Sequence, residues 1–137
     1  ARATDAQRTA IRQALQKVDA SVASGSAAVD EDLAFHQALA DAAGNAQFAR
    51  LLRHLEQYLR DAMSVTRRNE SLKPEYMAEV CREHHAIVDA VLARDADAAR
   101  AAAARHMHQA ARRLHDADAP IRQARASGEP NLSGNQP

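Results

Sequence analysis

Alanine dominates the apolar residues of this chain, and the larger apolar residues recur at helical spacing through long stretches with neither glycine nor proline. An interior filled mainly by small side chains needs elements that approach closely, and helices packed side by side meet that need best. Residues are 46% hydrophobic but only 3% aromatic, and glycine and proline number four each. The chain therefore reads as all-α. Its 137 residues suffice to bury a core and fit one domain.

Lys+Arg and Asp+Glu balance at 18 each. No global positive field draws a phosphate backbone, so the chain by itself is not expected to bind DNA well. Cys81 is the single cysteine. It excludes an internal disulfide, and its place in an apolar helical pattern fits a reduced core residue and a cytoplasmic location. No apolar run approaches the roughly 20 residues of a membrane-spanning helix, and the start has no signal-peptide profile. The opening ARATDAQ lacks an initiator methionine, which suits a fragment of a longer polypeptide.

Ile11, Leu15, Val18 and Val22 predict a first amphipathic helix over about 4–23, ended by Ser24-Gly25-Ser26. A second runs from near Ala28 to Ala43, where Gly44 supplies a stop and Asn45 a cap. The stripe Phe48, Leu51, Leu52, Leu55, Leu59 and Met63 predicts one long helix from Ala46 to Thr66. Arg67–Lys73 reads as a polar connection, and Pro74 suits the first turn of a helix reaching Ala93. Asp95 is placed to cap a last helix over about Ala96–Asp116. Residues 1–119 form the expected helical domain, and 120–137, ending SGEPNLSGNQP, have the composition of a disordered tail.

Histidine is the chemically informative residue, with seven in the chain. Each residue turns about 100° around a helix axis. His84 therefore falls amid Met77, Val80, Cys81, Ile87, Val88 and Val91, whereas His85 points away. Asp32 and His36, four residues apart, stack on one side of the second helix. On the last helix Met107, Ala103, Ala110 and Leu114 mark the buried stripe, with His106 at its flank and His108 far from it. An inward carboxylate is costly unless paired or bound to a cation, and one carboxylate with three neutral imidazoles is a donor set that zinc, nickel or manganese accepts. A lone inward histidine is more often a hydrogen-bonded core residue. Three helices each turning a donor inward is a stronger coincidence, and on the residues alone both readings stand.

His54, His108 and His115 have weaker claims, and nothing adjacent to Cys81 makes it a nucleophile. Neither a glycine-rich phosphate loop nor a Gly-x-Ser-x-Gly elbow is present.

The string DLAFHQALADAAGN, Asp32 to Asn45, resembles the D-x-x-F-H-x-x-L-x-x-A-x-G-N signature of the FadR C-terminal (FCD) domain family, the effector domain of many GntR-type bacterial transcription regulators. EHHAIVDAVLARDADAARAAAARHM, Glu83 to Met107, is similar to the family's later E-H-x-x-I pattern ending in an inward histidine. The resemblance covers about residues 4–117. It implies an antiparallel bundle of about six helices around an effector cavity, and a metal held by Asp32, His36, His84 and His106, the four residues that the wheels select. It further implies a small carboxylate effector (a hydroxy acid, sugar acid or dicarboxylate), homodimerisation, and operator binding through a separate N-terminal winged helix-turn-helix that this chain does not hold. Arg53, Arg60 and Asn45 are offered as ligand-binding residues, against the ordinary reading of a solvated arginine face and a helix cap.

Three functions follow from these expectations. The leading one is a metal-dependent acid sensor without enzymatic activity, with zinc as first choice of metal. The others are a metal-dependent enzyme, which lacks an obvious general base, and a helical dimerisation domain with structural histidines.

Overall fold

The computed structural model describes residues 3–126, with side chains through residue 116. Its described residues form six helices and no strand, as the alanine-rich pattern requires. Helix α1 (Asp5–Ala23) begins at a capping box: Thr4 Oγ1 accepts from Gln7 N, and Gln7 Oε1 accepts from Thr4 N. Its Ile11, Leu15 and Val18 are buried against Ala28, Phe35 and Ala42 of the next segment and Val88 of α5. Burying a side chain such as Ile11 or Phe35 contributes about 1.5–3 kcal/mol.

Helix α2 (Val29–Ala42) follows Ala28, whose left-handed backbone (φ 55°) turns the chain sharply and leaves that residue in the core. The acidic run Asp30, Glu31 and Asp32 faces the positive end of its dipole. Gly44, at φ 77°, ends the segment, and Asn45 Oδ1 accepts from Phe48 N to start α3 (Ala46–His54).

The single helix expected over Ala46–Thr66 is in fact two. Leu55 (φ −93°, ψ 12°) separates α3 from α4 (Glu56–Ser71). The bonds Leu55 N→Leu51 O and Leu59 N→Leu55 O persist across the junction, so the apolar stripe continues through it and periodicity cannot reveal the break. The expected polar connection over Arg67–Lys73 is also corrected: its first five residues are helical, and Arg67 and Glu70 are buried. Both are held by partners from elsewhere in the fold, which is what allows charged groups inside.

Helix α5 (Pro74–Leu92) carries Pro74 in its first turn. Asp95 Oδ1 accepts from Ala98 N and caps α6 (Ala96–Ala126), whose backbone continues past Asp116 and through Pro120. Side chains from residue 117 and all of residues 127–137 lie outside the described part, and with them most of the expected tail. Helix α1 packs on α2 and α5, α6 packs on α5 and α4, and α4 faces α2. The inward sides of α2, α4, α5 and α6 therefore converge. Among the described residues no helix is long and apolar enough to cross a membrane.

Candidate metal centre

Asp32 and His36 occupy successive turns of α2, His84 lies among Val80, Ile87 and Val88 on the core side of α5, and His106 is buried on α6. The bundle brings all four together. His84 Nε2 is 3.3 Å and His36 Nε2 3.8 Å from the same oxygen, Asp32 Oδ1. His36, His84 and His106 each offer a nitrogen, and these atoms lie within 4.8 Å of one another. The ring centroids of His84 and His106 are 4.6 Å apart, and those of His36 and His106 are 5.3 Å apart. Phe35 packs 4.7 Å from His84 and closes the apolar side.

Two features distinguish this cluster from hydrogen-bonded core histidines. Asp32 Oδ1 and both nitrogens of His84 are buried without a hydrogen-bond partner, a costly condition unless another species engages them. Burial also drives the His84 imidazole strongly toward its neutral form, reinforced by His106, His36 and the nearby arginines. Burial lowers His36 as well, against the opposing pull of Asp32. Neutral nitrogens with lone pairs are what a cation requires. Ligand atoms bonded at about 2.0–2.2 Å to one ion lie about 3.0–3.6 Å apart, close to the two separations from Asp32. The donors fit a divalent ion.

The remaining histidines are elsewhere. His85 is exposed and bonds Asp19 at 2.9 Å, and His54, His108 and His115 are exposed. Asn45 caps α3. Arg53 pairs with Asp41 at 2.7 Å, and Arg60 pairs with Asp30 and Glu56. Cys81 is half-buried, and burial pushes its thiol up, away from a nucleophilic thiolate.

Sequence reasoning missed four charged residues around the cluster. Arg67 approaches Asp32 Oδ2 at 3.8 Å and donates from Nε to Ala27 O at 2.8 Å, while its Nη1 and Nη2 have no hydrogen-bond partner. Glu83 accepts on Oε2 from His106 Nδ1 at 2.8 Å. Arg113 donates to Glu83 and Glu70. A signal for Arg113 existed: it is seven residues beyond His106, two turns along the same face. The expected stripe of α6 is accordingly rotated. Ala102, His106 and Arg113 are its buried members, whereas Met107 is 57% exposed.

A cavity of about 770 Å³ opens above the cluster. Asp32, His36, Arg67 and His106 contribute to its lining, and Phe48, Leu52, Leu59 and Met63 of α3 and α4 form an apolar wall.

An all-helical bundle with inward Asp and His donors beneath a cavity is the arrangement that the family resemblance of the two motifs implies, and the comparison with known families identifies that family. The chain belongs to the FCD domain family, which it matches over residues 1–109. Over 76 residues it is also 32% identical to the putative L-lactate dehydrogenase operon regulatory proteins of Escherichia coli (strain K12) and Shigella flexneri. These alignments cover 56% of this chain and 30% of each relative. The chain thus spans under a third of the length of these curated relatives.

Proposed function

We propose that this chain is the effector-sensing domain of a transcription regulator and binds a small carboxylate at a divalent ion, zinc being the first candidate and nickel or manganese the alternatives. Asp32, His36, His84 and His106 would hold the ion, which supplies a positive centre for an anionic oxygen. The observation that carries the reading is the set of unpartnered buried atoms, Asp32 Oδ1 and both His84 nitrogens, clustered with the imidazoles of His36 and His106.

Arg67 supports the carboxylate as ligand class. Its guanidinium is 2% exposed, lines the cavity, and keeps Nη1 and Nη2 without hydrogen bonds. A planar fork of this kind matches a carboxylate. The names of the relatives favour a short hydroxy acid, with L-lactate as the first to test. Arg53, Arg60 and Asn45 carry less weight in this reading, because surface pairs and a cap already engage them. Operator binding is assigned to a separate N-terminal module, consistent with the zero net charge, and the working unit is proposed to be a cytoplasmic homodimer. We assign no reaction.

The test is metal analysis of tag-free protein followed by a thermal-shift screen of L-lactate and related acids, with and without chelator. The reading expects about one divalent ion per chain and an acid-dependent rise in Tm that the chelator abolishes. A protein that carries no ion and responds to no acid refutes it.

A further inference from the structure

We propose that Glu83 and Arg113 are positioning residues of this centre, fixing His106 so that its Nε2 faces the other donors. The inference rests on the reading of Asp32, His36, His84 and His106 as ligands. Glu83 Oε2 accepts from His106 Nδ1 at 2.8 Å. A charged acceptor at Nδ1 keeps the proton there, which leaves the lone pair on Nε2.

Arg113 in turn fixes the carboxylate. It presents Nη1 to Glu83 Oε1 at 2.8 Å and Nη2 to Oε2 at 2.9 Å, a two-point grip with the guanidinium 1% exposed. Its Nε donates to Glu70 Oε1 at 2.9 Å, and Glu70 Oε2 lies 3.6 Å from Arg67 Nη1. Arg67 completes the path to Asp32. An alternating run of charge thus connects His106 on α6 to Asp32 on α2 through α4 and α5. In that run two arginines face three carboxylates, so it carries surplus negative charge that a cation would complement. An ion-pair staple between helices would need only Arg113 and its carboxylates; here Glu83 Oε2 is shared with the imidazole.

The experiment reads His106 in the full chain by long-range ¹H–¹⁵N NMR in chelator, and zinc affinity by competition with a chromophoric chelator. The wild type is expected to show a single Nδ1–H tautomer. Glu83→Gln and Glu83→Ala should give mixed tautomers and weaken zinc binding about 10- to 100-fold. Arg113→Lys, which keeps the charge but loses the fork, should fall between. Glu79→Gln, at a residue whose contacts are Arg112 and Arg113, should bind zinc like the wild type. Folded Glu83 variants with an unchanged tautomer and zinc affinity within twofold overturn the proposal. So does an affinity loss that tracks lost helicity while the tautomer stays fixed, which would make Glu83 a staple only. If the wild type binds no zinc, the ligand reading fails, while the tautomer comparison in chelator still decides whether Glu83 orients His106.

Discussion

His84 Nε2 lies 3.3 Å from Asp32 Oδ1, and neither atom has a hydrogen-bond partner. Helices α5 and α2 thus aim a nitrogen of a neutral imidazole and a carboxylate oxygen at one point. Their partnership should therefore show in metal content: His84→Ala and Asp32→Ala are each expected to lower zinc affinity by more than about 100-fold, since each removes a direct ligand rather than its support. Stoichiometry by mass spectrometry after dialysis checks this, and retention of one ion per chain by both variants counts against the site.

Arg113 is also a stability element. Removing it leaves Glu70 and Glu83 facing each other's surroundings without their shared cation. Breaking a buried pair by deleting one partner costs about 3–5 kcal/mol, so Arg113→Met should lose that much in urea unfolding and drop Tm by more than about 10 °C. Burial already raises the Glu70 carboxyl despite Arg113, so a neutral Glu70 in the variant would soften the loss. A shift under 1 kcal/mol would show the pair to be energetically idle.

The imidazoles set a pH dependence. In the fold burial lowers His84 and His36, while in the unfolded chain both return to about 6.5. Lower folded values mean that protons favour the unfolded state. Their neutral burial is therefore compatible with full stability above about pH 6.5, and stability declines as the pH falls below it. Urea midpoints measured in chelator from pH 8 to pH 5 should fall toward acid, and His84→Phe should flatten the slope. A midpoint that rises toward pH 5 contradicts the neutral assignment.

Arg94 closes α5 in the left-handed region (φ 60°), with Asp95 N bonding Ala90 O and Arg94 N bonding Val91 O. Glycine adopts that backbone without the penalty a Cβ incurs there. Among the described residues the ion pair at risk is an exposed one with Asp5 at 3.6 Å, worth little. Arg94→Gly is expected to raise unfolding stability by about 0.5–1 kcal/mol, and a loss instead would mean that the Asp5 contact outweighs backbone strain.

Local spacing is enough for the helical class, the caps at Asn45 and Asp95, and the choice of His84 over His85 and His106 over His108 as inward residues. Each depends on a residue's angle around its own helix axis, which local spacing encodes. It also carried the family, because the D-x-x-F-H and E-H strings are local patterns. Tertiary structure alone decided where α3 ends at Leu55, since the apolar stripe runs unbroken through that residue. It also decided that Arg67 and Glu70, polar in any local reading, lie inside, and which carboxylates meet the buried Arg113. Their burial is tolerable only because α4, α5 and α6 bring opposite charges within reach, and the rotation and spacing of helices around one another are fixed by packing between segments that lie far apart in the chain.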